Sequence, residues 1–389
     1  MIKKMLTKRN LVLQSSLAFI SLSALQLTTW IPLRYWSAWG GGNFLDTWQI
    51  LRYGKCYETV GLSVYENVGT NCSNYLYGRT LLQLLSFLRI DVSLTQFFGY
   101  TFLLLLAIGL TMVFPITSRR DCLVFTMVLF SPPVMLLADR GNFDILIFFI
   151  LIHVAKSVAR GNFFFAYILL SITVLMKYYT APVFLLLIFY SKLTKDRILG
   201  AALLLICSGL AFRDIAITDA QYPHGSDAQF GFTVWGEYLN KFSSTQVNEI
   251  QIYSISATIF ISILILTFIL SQKFVRQILE IPNTLDWRTF AFWIFLTVSI
   301  TCYFGGMNFD YRLIFFASTF LLASRALPSS FSQVFVNSLA VVLWLSFPSG
   351  GLQPLGDLVI EIAISYTLIT LGTEASKKNK YSMAKNEFL

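Results

Sequence analysis

Apolar residues in this chain come in long continuous runs rich in Leu, Ile and Phe, separated by short polar stretches. Short segments of alternating polarity would suit a β-barrel, and the runs lack that alternation. Continuous runs of this length suit membrane helices. The first, residues 11–31, is long enough to cross roughly 30 Å of hydrocarbon. It follows Lys3, Lys4, Lys8 and Arg9, lacks a small-residue cleavage site and ends in Trp30-Ile31-Pro32, which predicts a retained first helix and not a removed leader. Further spans are expected at 94–114, 122–137, 145–158, 163–177, 181–191, 199–212, 253–271, 289–304, 313–324, 332–347 and 358–372. That makes roughly twelve spans, with about ten to thirteen as the range. Several are short for a straight crossing of about 20 residues, so they either extend into neighbouring loops or are broken inside the bundle.

Composition agrees with the pattern. The 389 residues are 56% hydrophobic and only 13% charged, against roughly 25% charged in soluble domains. The expected fold class is therefore all-α, a polytopic transmembrane helical bundle. It is read as one domain, 1–389, with long outer loops at 34–93 and 213–252 and a tail at 373–389. The net charge of +9 does not point to nucleic acid, because the basic residues gather in short clusters between apolar runs, as at cytoplasmic loop ends. Membrane lipids, and no nucleic acid, are the partners this implies. Alternation from a cytoplasmic N-terminus puts Arg119, Arg120, Lys156, Arg160, Lys273 and Arg276 inside. Both termini are then cytoplasmic and both long loops lie outside.

With that orientation, the charged residues suited to chemistry fall on the outer side. The first loop opens with Gly40-Gly-Gly-Asn-Phe-Leu-Asp46-Thr-Trp48 and later carries Tyr75-Leu-Tyr-Gly-Arg79 before an amphipathic stretch, 81–88. Asp139-Arg140-Gly-Asn-Phe-Asp144 joins two spans, Lys177 ends another, and Gly305-Gly-Met-Asn-Phe-Asp310-Tyr-Arg312 joins two more. His224 sits in a polar run of the second loop. Such turns are also ordinary helix connections, since charge at the membrane boundary costs far less than at its centre. Their number on one face, with Arg and Lys suited to phosphate, favours a site. Cys56 and Cys72 share the first loop and are expected to pair, while Cys122, Cys207 and Cys302 fall in spans as packing residues. His153 lies within a span and is expected to bond a neighbouring helix. No periodic repeat, phosphate-cradling glycine loop, HExxH or GxSxG is present, so ATP hydrolysis and protease chemistry find no support.

These features resemble the C superfamily of glycosyltransferases (GT-C): a first helix, then a large outer loop with an early Asp, then Asp139-Arg-Gly-Asn-Phe-Asp144 and Leu175-Met-Lys177-Tyr-Tyr-Thr-Ala-Pro182. The last two stretches are similar to segments of glycosyltransferase family 87, the bacterial mannosyltransferase-like branch. The resemblance implies an enzyme of the cytoplasmic (inner) membrane that takes a sugar from a polyprenyl-phosphate donor. It would pass that sugar, with inversion, to a lipid-linked or cell-envelope glycan acceptor on the outer face. In that scheme Asp46 is the general base, Lys177, Arg312, Arg140 and Arg79 bind the donor phosphate, and Trp39, Trp48, Asp144, Asp310 and His224 meet sugar or acceptor. Here the proline after Lys177 is displaced to position 182. With no Asp-x-Asp in the first loop no cofactor is assigned, and dependence on a divalent metal stays open. For Asp46 the alternative is a helix cap before Thr47. For the whole chain the alternatives are an O-antigen-type polymerase or ligase and a secondary transporter.

Overall fold

The computed structural model describes residues 2–27, 43–65, 72, 79–191, 193–216, 229–230, 286–304, 308–309 and 312–326, with a few positions between 251 and 261 and at 343 and 362. The spans expected at 332–347 and 358–372, and most of 253–271, lie outside the described residues. So do Trp39, His224 and Asp310.

The described chain is helical: α1 (Ile2–Leu27), α2 (Leu45–Val60), α3 (Arg79–Phe87), α4 (Thr95–Val113), α5 (Arg119–Leu129), α6 (Pro132–Arg140), α7 (Asp144–Ala159), α8 (Phe163–Met176), α9 (Val183–Tyr190), α10 (Thr194–Ala216), α11 (Trp287–Phe304) and α12 (Leu313–Ala326). Two-residue strands β1 (Gln229–Phe230) and β2 (Asn308–Phe309) pair antiparallel, with Gln229 opposite Phe309. That pairing ties a piece of the second long loop to the chain just ahead of Arg312.

Local chemistry sets the helix ends. Ser118 and Asp121 form a capping box at the start of α5, each side chain satisfying a backbone N–H that the first turn leaves unpaired. Asn162 caps α8 by accepting from the Phe165 amide at 3.1 Å. The four residues Arg-Gly-Asn-Phe occur at 140–143 and again at 160–163, one copy at each end of α7, and both copies stop a helix in the same way. The glycines at 141 and 161 take positive φ, +56° and +74°. The following asparagine amides reach back to the Leu137 and Ser157 carbonyls at 3.4 and 2.9 Å. This is the double-bonded helix ending that a left-handed glycine permits.

Helix α7 is the centre of the bundle, packed against α4, α8 and α11. Its fully buried Phe148 stacks on Phe295 of α11 at 5.3 Å. The same ring lies where a side chain on Gly109 of α4 would stand, with a Cβ there only 2.7 Å from its Cε1. A small residue lets helices approach closely, and close packing is what holds helices together in hydrocarbon. Two described stretches, Val92–Val113 and Trp287–Phe304, are long and apolar enough to cross a membrane. The span expected at 122–137 is broken: α5 and α6 are bent by 54° between them, and together they meet the same test. Pro132 causes the break, because proline at the first helical position cannot continue a helix from upstream yet is favoured to start one.

The part of the first loop that is described is a small helical unit. Helices α2 and α3 pack together, with Cys56, Val64 and Leu82 buried between them. Cys56 and Cys72 form a disulfide with Cα atoms 5.6 Å apart. The amphipathic stretch at 81–88 is helical through Phe87, burying Leu81, Leu82 and Leu85 while Leu84 and Phe87 stay exposed. Cys207 and Cys302 are buried, whereas Cys122 is exposed at the start of α5 and packs no core. Among the described residues His153 bonds within its own helix and not to a neighbouring one, its Nδ1 lying 3.0 Å from the Phe149 carbonyl.

Candidate functional site

The turn from α6 to α7 is where five parts of the chain meet. Its hub is Asn142, which is completely buried. The Asn142 side-chain oxygen accepts from the Asp144 amide at 2.9 Å, a local turn that starts α7. The same oxygen accepts from Lys177 Nζ at 2.8 Å. Its amide nitrogen donates to Asp46. One side chain thus bridges the start of α2, the α6–α7 turn and the end of α8.

On one side of the hub, Asp46 sits in the first turn of α2 with its carboxylate turned toward α6. One oxygen accepts from Arg140 Nε at 2.6 Å and pairs with the same guanidinium through Nη2, while the other accepts from Asn142. Asp46 does not cap α2. Phe44 precedes the helix, and no side chain caps it.

Phe44 holds α2 in that position. Its amide donates to the Asp139 carbonyl at 2.8 Å. Its fully buried ring packs edge-on against Tyr100 at 5.3 Å. Thr47 adds a hydroxyl bond to the Gly141 carbonyl. Phe44 adopts a left-handed backbone, φ +61°, which costs a non-glycine residue energy and persists only where packing enforces it.

On the other side, Asp144 is fully buried and surrounded by donors. One oxygen accepts from Lys177 Nζ and from the Tyr179 hydroxyl, each at 2.7 Å. The other faces Arg312 Nε at 3.4 Å. The Arg312 guanidinium lies 4.9 Å from the centre of the Tyr179 ring, a cation–π contact that fixes both groups. A buried carboxylate is tolerated only when paired and hydrogen-bonded in this way. Among the described residues the network holds the carboxylates Asp46 and Asp144 and the cations Arg140, Lys177 and Arg312. Arg140 and Arg312 are each 14% exposed at the side chain, whereas Lys177 is 3%. Of these cations the two arginines are therefore the more open to solvent.

Asp46, Arg140, Lys177 and Arg312 all come together. Three residues sit differently from expectation. Asp144, expected to meet a sugar, has no exposed surface and serves as the buried counter-ion. Arg79 sits in the disulfide-linked unit, where its Nε donates to the Tyr57 hydroxyl at 3.1 Å. Trp48 is partly exposed but already carries Arg52 over its ring at 5.0 Å. Asn142, Tyr179 and Phe44 were not singled out from the sequence. The recurrence of Arg-Gly-Asn-Phe on either side of α7, with an acid following only the first copy, was the available signal.

Among the described residues no group of three His, Cys, Asp or Glu side chains comes together. Asp46 and Asp144 are each turned to cations. Chemically, the arrangement offers a carboxylate, Asp46, held against the Arg140 guanidinium, with a second guanidinium, Arg312, on the buried Asp144 of the same network. No protein-family model matches the chain, and no curated protein or solved structure matches it.

Proposed function

We propose that this protein is a polytopic membrane glycosyltransferase of the C-superfamily type. It moves a sugar from a polyprenyl-phosphate donor to a hydroxyl of a lipid-linked or cell-envelope glycan at the outer membrane face. One observation carries the reading: Asp46, Arg140, Lys177 and Arg312, far apart in sequence, belong to one hydrogen-bonded network at one end of a bundle of apolar helices. The basic-residue bias along the chain supports placing that end outside.

In this reading the bond between the sugar anomeric carbon and the phosphate oxygen breaks, and its electron pair leaves with the lipid phosphate. Arg140 and Arg312 receive the growing negative charge, since guanidinium groups bind phosphate oxygens in pairs. The acceptor oxygen forms the new bond from the opposite face of the sugar, and its proton passes to Asp46. Both Asp46 oxygens are engaged by Arg140 and Asn142, so the acceptor hydroxyl must displace or share one of those bonds. As the phosphate draws Arg140 toward itself, Asp46 is released to act as base. Lys177, Tyr179 and Asp144 hold the geometry from beneath.

The test is direct. Purified protein is incubated with a panel of polyprenyl-phosphate sugars and acceptor lipids, and the products are weighed by mass spectrometry. Transfer of a hexose by wild type, lost in Asp46→Asn, is the expected result. No transfer from any donor by folded protein would overturn the reading. A secondary transporter is the second reading, favoured by the buried Lys177–Asp144 pair, since ionisable residues that face a bundle interior often mark transport paths. Substrate flux into proteoliposomes without product formation would favour it.

A further inference from the structure

A second cluster of cations lies at the end of the bundle away from this network, where α7 finishes and α11 begins. Lys156 is in the last turn of α7, Arg160 follows that helix, and Arg288 is the second residue of α11. Lys156 Nζ and the Arg288 guanidinium carbon each lie 5.0 Å from the centre of the Trp287 ring. Lys156 also feels the positive charges of both Arg160 and Arg288. Among the described residues the carboxylate ion-paired with this group is Asp286, exposed and 3.7 Å from Arg288. Arg288 Nε is buried and has no hydrogen-bond partner among them.

Three like charges gathered from two helices repel one another. A buried guanidinium N–H without an acceptor among the described residues adds a desolvation cost. The indole face compensates only in part, through its quadrupole. A phosphate group would resolve all three: it accepts the orphan Arg288 donor, pairs with a guanidinium through two oxygens, and takes Lys156 as a point charge. The cluster stands at the end of a helix long and apolar enough to cross a membrane. Lipid phosphates ride at that level, and tryptophan favours it.

We propose that Lys156, Arg160, Trp287 and Arg288 form a binding site for the phosphate of an anionic phospholipid headgroup. The site is independent of the glycosyltransferase reading, because it shares no residue with the charge network. Anionic lipid bound there would clamp α7 to α11 and so hold the central helix of the bundle from its far end.

The experiment reconstitutes the full chain in nanodiscs of phosphatidylcholine, alone or with increasing phosphatidylglycerol, and follows the melting temperature. Wild type should be stabilised by phosphatidylglycerol in a saturable way. The double variant Lys156→Gln/Arg288→Gln should need about tenfold more anionic lipid for the same shift, the loss expected from removing charge-assisted contacts. Lys156→Arg should respond like wild type. Arg160→Gln, altered at an exposed position, should be weakened several-fold while keeping the wild-type melting temperature in pure phosphatidylcholine, and it gives a readout should the double variant fold poorly. An unchanged lipid response in Arg160→Gln and the double variant would overturn the proposal. So would protection by inorganic phosphate without protection by phosphatidylglycerol, which would assign the site to a soluble anion.

Discussion

Phe44 occupies the space that a side chain on Gly99 would need: a Cβ built there would lie 2.2 Å from the Phe44 ring. An aromatic wedge thus docks the first loop on α4, and Asp46 follows two residues later. Gly99→Ala forces that ring outward against Tyr100. Overpacking of this kind costs about 1–3 kcal/mol, so a clear fall in melting temperature in detergent is expected. A variant that melts like wild type would mean that α2 is not seated on α4.

The ion pair between Asp46 and Arg140 separates a catalytic from a structural role for Asp46. If Asp46 is the base, Asp46→Asn leaves a folded protein whose turnover falls by roughly 10²–10⁴-fold. Adding Arg140→Gln would then restore nothing. If the pair only holds the turn, the double variant should lose less than the sum of the two single changes in a stability cycle. Rates and melting temperatures of the three variants decide between these outcomes.

Removing Lys177 should be costlier for stability than removing Arg312. Lys177→Met strands the buried Asp144 without its shortest ionic partner, and breaking a buried pair from one side typically costs about 3–5 kcal/mol. Arg312→Gln loses a longer, partly exposed contact, so its main effect should be on donor affinity. Melting curves, with donor titrations where the fold survives, test the ordering. The reverse order would move the buried counter-charge from Lys177 to Arg312.

The apolar pattern of the chain makes several of its helices legible. The spans expected at 94–114, 145–158, 163–177, 289–304 and 313–324 are helices, because continuous apolarity needs no tertiary information. A break inside the bundle is one of the two options for the short spans, but its place at Ser131-Pro132-Pro133 is not legible, since a proline that starts one helix and stops another leaves the apolar run intact. Asp46, Arg140, Lys177 and Arg312 stood out as charges at the ends of greasy segments. Asn142 did not, for its importance lies in partners 35 and 96 residues away. Phe44 is one of 36 phenylalanines, and only its left-handed backbone and the hollow at Gly99 set it apart.

The Cys56–Cys72 bridge closes a loop with a sequence separation of 16. In the chain-entropy account that is worth about 3 kcal/mol. The paired variant Cys56→Ser/Cys72→Ser should therefore loosen the α2–α3 unit while leaving α7 and its neighbours protected in hydrogen exchange. Uniform loss of protection would show that the loop unit and the bundle unfold together.

Orientation can be read with a cysteine at Glu58, which is exposed on α2, in a Cys122→Ser background. A membrane-impermeant maleimide should label it in intact cells. Labelling only after permeabilisation would turn the topology over.

Chain order adds a further consequence for the network. The contacts to Asp144 from Lys177 and Tyr179 close over short distances, the Tyr179 bond spanning 35 residues, whereas the bond from Arg312 spans 168. During synthesis Asp144 must therefore be neutralised first by Lys177 and wait for its second cation until α11 is in place. Loop closure over the longer distance adds little entropic cost, so the late contact is limited by chain order and not by entropy. Arrival of Arg312 thus completes the shell around Asp144: a chain stopped before it has Lys177 and Tyr179 on one carboxylate oxygen, while the other lacks the guanidinium it faces in the finished bundle.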